Sequence, residues 1–112
     1  MIVQMSQFVH IGFNQLHRVD LAAVQQAIEL ESKDWMRYSE NCYIVWTDVP
    51  LAQIAGRLLT IPGMNDNSFF VAGLNMEDTF GWLPAWAWEW MWRDRSTQPF
   101  CFLPPVPPIS PY

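Results

Sequence analysis

Lysine is almost absent from this chain of 112 residues: Lys33 is the only one. Six cations face eleven carboxylates, for a net charge of -5. Phosphate binding leans on Lys and Arg, so this balance argues against nucleic acid as a partner. An acidic chain suits a basic partner surface, or simply stays soluble. Cysteine is scarce too, and Cys42 and Cys101 lack the C-x-x-C spacing of a redox or zinc motif, so reduced, packed thiols are expected. Neither Cys nor carboxylate stands at metal-ligand spacing around His10 and His17, the only histidines; no metal site and no cofactor are expected. The five glycines stand singly, which excludes a Gly-rich phosphate loop. No G-x-S-x-G motif frames a nucleophile set such as His17 with Asp20 and Ser6 or Cys42. No apolar run reaches the ~20 residues that span a bilayer. The opening MIVQMSQF has neither the cationic start nor the apolar core of a secretory signal, so a cytoplasmic protein without a membrane association is expected.

What is present is apolar and aromatic: 51% of residues are hydrophobic and 15% are Phe, Trp or Tyr. That composition belongs to a globular domain, and a chain of this size buries enough surface to fold alone. In residues 6–13, SQFVHIGF, Phe8, His10 and Gly12 alternate with Val9, Ile11 and Phe13, which predicts a strand. Asp20 offers an N-cap to a helix over residues 21–31, with Leu21, Val24 and Ile28 inward and Gln25, Gln26 and Glu29 facing water. DWMRY (34–38) and CYIVWT (42–47) read as a hairpin around Ser39, Glu40 and Asn41. Thr47 or Asp48 is expected to cap a second helix, with Pro50 in its first turn, Leu51, Ile54, Ala55 and Leu58 as its apolar stripe, and Pro62-Gly63 as its stop. A loop over residues 65–68 then leads to FFVAGLN (69–75), apolar enough to predict a central strand. The order strand, helix, strand, strand, helix, strand predicts an α+β, ferredoxin-like βαββαβ domain: an antiparallel sheet with two helices on one face.

The run WMRYSENCYIVWTDVPLAQIAGRLLTIPGMNDNSFFVAGL resembles the small ferredoxin-like proteins related to the CRISPR adaptation endoribonucleases, especially their SinR-like relatives. Trp35, Tyr38, Trp46, Thr47, Asp48, Gln53, Ile54, Asn65 and Asp66 carry the likeness, which covers residues 6–75. The resemblance implies a homodimer, often with paired sheets. In nuclease members it also implies a metal-binding acid just after the first strand, in a Tyr-Asp pair. This chain has Gly12-Phe13-Asn14-Gln15 there. Phe and neutral Asn supply no anionic oxygen for Mg²⁺, so a non-enzyme is expected and no catalytic residue is named.

Beyond the expected domain of residues 1–78 lies a second region, 79–112, expected to pack on that domain or on a dimer mate. It opens with Glu77-Asp78 at its border, read as loop solvation or helix-start charge. GWLPAWAWEWMWR (81–93) holds five of the seven tryptophans. Pro84 suits a helix start, and the helix should run to about residue 93. Helical spacing puts Trp82, Trp86 and Trp90 on one stripe and Trp88 and Trp92 on another. Two roles are open: a packed cap over the bare face of the sheet, or a dimer or partner interface, where Trp is enriched among hot spots. Base stacking is a third role, for which only Arg93 and Arg95 would supply charge. The tail PFCFLPPVPPISPY favours polyproline II, with Pro104 and Pro107 in PxxP register. It suits docking on the chain's own tryptophans, on those of a twin, or in a foreign aromatic groove.

Three functional readings follow. The first is a non-catalytic, homodimeric protein–protein interaction module. Its partner-binding residues would be Trp82, Trp86, Trp88, Trp90, Trp92, Pro104 and Pro107. The second is a small acidic inhibitor of a nucleic-acid-handling defence complex, of the kind phages deploy. The third is a metal-dependent nuclease with a degenerate site, using Asn14, Asp20 or Asp48 in place of the missing acid.

Overall fold

The computed structural model describes residues 5–14, 16–93 and 95. Among them lie seven strands and α-helices: β1 (Gln7–Phe13), α1 (Leu21–Leu30), β2 (Asp34–Ser39), β3 (Cys42–Thr47), α2 (Leu51–Leu59), β4 (Phe69–Leu74) and α3 (Ala85–Met91). They make a small α+β domain with one four-stranded antiparallel sheet in the order β2-β3-β1-β4. Each crossover that carries α1 or α2 joins strands separated by one other strand. The layout is compatible with a ferredoxin-like fold.

Alternation along β1 decides the layering. Val9, Ile11 and Phe13 point to one face, where Val24, Ala27 and Ile28 of α1 and Ile54 and Leu58 of α2 meet them, with Tyr43 and Val45 of β3. Phe8 points to the other face and packs with Met36 and Ile44 against Ala87 and Met91 of α3. The Phe8 end of β1 is thus covered on both sides, and the described residues form three layers: two helices, the sheet and a third helix.

Local chemistry explains most boundaries. The Asp20 carboxylate accepts the Ala22 N–H at 3.0 Å and starts α1. The buried stripe of that helix runs Val24, Ala27, Ile28; Leu21, one turn earlier and expected inward, lies exposed. The start of α2 also departs from expectation, because neither Thr47 nor Asp48 caps it. Pro50 is the N-cap, without a side-chain hydrogen bond. The Thr47 hydroxyl is committed elsewhere: it donates to the Glu31 carbonyl at 2.6 Å and accepts the Val49 N–H at 3.0 Å. Gly63 has φ 86°, and a Cβ there would stand 2.7 Å from the Arg18 carbonyl oxygen, so only glycine fits this turn.

β4 is an edge strand, not the central one its apolar run predicts. Place in the sheet is set by the crossovers, and β1 takes the centre. The two edges are unlike. β2 carries Asp34 and Arg37 and a register shift between Arg37 and Ser39. β4, FFVAGL, has no charge and no proline, and its pairing with β1 runs in continuous register.

Candidate functional site

The tryptophan segment divides into a packed part and a bare part. Pro84 has ψ 153° and no place in the helix, so α3 begins at Ala85. Trp82 therefore precedes the helix and does not share a stripe with Trp86 and Trp90, as helical spacing had suggested. The helix touches the sheet through Ala87 and Met91, both buried, while Trp86, Trp88 and Trp90 straddle that contact half-buried. A small residue at the centre lets the helix backbone come close, and the large rings fill the flanks. Trp90 sits edge-on to Phe8, with centroids 5.7 Å apart. Its indole N–H is buried with no hydrogen-bond partner among the described residues. α3 thus covers the part of the second sheet face formed by Phe8, Met36 and Ile44.

An ionic clamp fixes α3. Asp34, buried at the start of β2, accepts hydrogen bonds from the Arg93 guanidinium and, at 3.0 Å, from Arg95. The Arg95 guanidinium lies over the rings of Trp90, Phe8 and Trp46 at 4.5, 5.1 and 5.6 Å. It also donates to the Trp90 carbonyl at 2.7 Å. Both cations that a base-stacking surface would draw on thus hold this carboxylate. On the opposite face a second buried acid, Glu31, takes the Arg57 guanidinium at 2.8 Å and the Gln53 amide at 3.1 Å, tying α1 to α2.

The bare part is the stretch between β4 and α3. Trp82 is 100% exposed and Phe80 is 91% exposed, with Gly81 between them. Glu77 and Asp78, also exposed, sit just upstream in a 3₁₀ turn (Met76–Asp78) capped by the Asn75 side chain. Trp92, past the end of α3, is exposed as well. Phe80, which helical and strand periodicity pass over, stands between Thr79 and Gly81 outside any apolar period, the one local signal that it has no core to join. Pro104 and Pro107 lie outside the described residues.

A third feature occupies the end of the sheet face that α3 leaves open. A cleft of about 360 Å³ is lined by His10, Gly12, Asn14, Cys42, Ser68 and Phe70, together with Phe13 and Phe69 at the strand ends. His10 Nε2 and the Tyr38 hydroxyl share a hydrogen bond of 2.5 Å across the intervening strand β3, which fixes the imidazole plane. His17, by contrast, is an exposed loop residue whose backbone N–H and carbonyl are bonded by the Asn67 side chain. Burial pushes the His10 pKa below its ordinary value of 6.5. The unfolded chain therefore takes up this proton first as pH falls, so stability from this site is full above about 6.5 and declines below it. Urea midpoints measured from pH 7.5 to 5.5 should fall on acidification, and His10→Gln should flatten that part of the profile. An unchanged slope in the variant would assign the effect to other groups.

At the position where the resembled nucleases keep their acid, Phe13 is a core ring, edge-on to Tyr43 with centroids 6.1 Å apart. Asn14 is exposed, and its N–H donates to the Ser68 carbonyl at 2.8 Å. Among the described residues no three His, Cys, Asp or Glu gather at metal-ligating range. Also among them, no helix is long and apolar enough to cross a membrane. No family model, no curated protein and no solved structure matches this chain.

Proposed function

We propose that this chain is a non-catalytic protein–protein interaction module of ferredoxin-like type that works through its aromatic C-terminal region. The observation that carries this reading is the pair Phe80 and Trp82, almost wholly in water beside Glu77 and Asp78. Large rings held out of a core that has room for five other tryptophans fit a partner surface better than architecture. Aromatic faces next to carboxylates suit arginine, whose guanidinium stacks on an indole while pairing with an acid. The partner is accordingly an Arg-bearing protein surface, consistent with the net charge of -5. The same chemistry supports the second reading, a small acidic inhibitor that competes with nucleic acid for a basic surface on a defence complex. The split βαβ crossovers agree with the resemblance to relatives of the CRISPR adaptation proteins. The edge of β4, which has no second partner strand among the described residues, supports the homodimer, since two such edges can pair and hide each other.

The test is affinity capture from host lysate with the wild type, with Phe80→Ala/Trp82→Ala and with Trp92→Ala, alongside light scattering. Exposed sites like these should change stability by less than about 0.5 kcal/mol. Loss of two hot-spot rings should weaken a captured complex by about thirtyfold or more. A partner retained equally by the Phe80/Trp82 variant would sink the assignment. A monomer at all concentrations would remove the dimer but not the partner.

A further inference from the structure

We infer that the cleft beside His10 is a binding site for a neutral, planar heteroaromatic ring of nucleobase size. The proposal is independent of the interaction surface, because the cleft lies on the sheet face at the strand ends, while Phe80 and Trp82 stand on the connection into α3. Three observations carry it. The first is an aromatic wall: Phe70, 59% exposed, and His10 lie 5.7 Å apart with ring planes 32° from one another. Such a wall offers a π-face to a flat ligand. Gly12 makes the wall possible, for a Cβ there would stand 3.0 Å from a Phe70 ring carbon and 3.1 Å from the His10 ring.

The second observation is an oriented polar group. Tyr38 holds His10 Nε2, so the other ring nitrogen, Nδ1, is left facing Gly12, 3.6 Å from where its Cβ would be. Gly12 lies directly across from Cys42 in the ladder. His10 and Cys42 thus both belong to the lining of the cleft, on either side of Gly12. The third observation is the absence of formal charge. Among the described residues the lining contains neither Lys, Arg, Asp nor Glu. The rim groups are an imidazole, a thiol, an amide and a hydroxyl, which match the donors and acceptors on the edge of a heterocycle and give a phosphate nothing to pair with. A volume near 360 Å³ is at the small end of ligand pockets and suits one or two fused rings.

Adenosine and adenosine 5′-monophosphate are the probes, titrated into the full-length ¹⁵N-labelled protein and followed by amide shifts. Adenosine should move the amides of Gly12, Cys42 and Phe70, with the monophosphate binding several-fold more weakly, since the described lining offers its phosphate no cation. Phe70→Ala removes the wall at an exposed position and should weaken adenosine by about tenfold. Cys42→Leu fills the cleft and should abolish the shifts while leaving the rest of the spectrum in place. Either variant with wild-type affinity overturns the proposal. Absence of shifts at millimolar adenosine overturns it too. Shifts confined to residues 79–83 would do the same by placing the ring on the exposed tryptophan. Tight binding of an oligonucleotide with a steep salt dependence would replace the small ligand with a single strand. Broadening of these amides with protein concentration alone would make the cleft a contact between copies.

Discussion

Replacing Asp34 by Ala is expected to cost about 3–5 kcal/mol, the usual penalty for leaving a buried charge without its partner. Asp34 is 4% exposed, and Arg95, with a side chain 8% exposed, would be left deep in the aromatic cluster of Phe8, Trp46 and Trp90. The loss reaches beyond the pair. The Asp34 carboxylate also accepts the Trp35 N–H at 2.9 Å, so the backbone at the start of β2 loses a partner as well. At roughly 4–8 °C per kcal/mol for a domain near this size, the melting temperature should drop by more than about 12 °C. The double variant Asp34→Ala/Arg95→Met removes the stranded charge and keeps an apolar body over the rings. It should be more stable than Asp34→Ala alone, a non-additivity that a merely disrupted strand would not produce. Equal stability of the single and double variants would show that charge plays no part in holding α3.

The second large effect is expected at Leu58. Its neighbour supplies the control, because Leu58 is 1% exposed among Ile54, Ile61 and Met64, whereas Leu59 is 54% exposed. Leu58→Ala should lose about 2–5 kcal/mol through lost burial and a cavity under α2. Leu59→Ala should stay within about 0.5 kcal/mol of wild type, since alanine is the better helix former and little packing is lost. Urea unfolding at 25 °C measures both, with unchanged m-values if the native and unfolded states keep their surfaces. Comparable losses in the two variants would mean that α2 is rotated from the orientation described.

These two sites also mark what a sequence can carry. Leu58 was legible because its neighbours repeat at helical spacing, and the Asp20 cap and the turn at Glu40 are just as local. Every strand and helix of the domain core rests on signals of that kind. Asp34 and Arg95 are 61 residues apart, and nothing local in DWMRY marks its first residue as buried and paired. The hydrogen bond between His10 and Tyr38 spans 28 residues and skips a strand. β4 reads as central because its composition is apolar, but composition reports contact with something apolar and not position in the ladder. The tryptophans misled in a similar way. Attention goes to the largest rings, yet the contact with the sheet is made through Ala87, whose small size is what allows α3 to approach.

The helix that completes the third layer is also, among the described residues, the last regular element to be made. Synthesis runs from the amino end, so the six earlier elements, residues 7–74, leave the ribosome before residues 85–95 do. During that interval Phe8, Met36, Ile44 and Trp46 form an oily plane without its lid, on a sheet whose β4 edge is equally unprotected. A nascent chain held before residues 85–95 have emerged would therefore present a nearly finished domain that adheres to its neighbours. The arrival of Arg95 at Asp34 is the event that turns it into a well-behaved one.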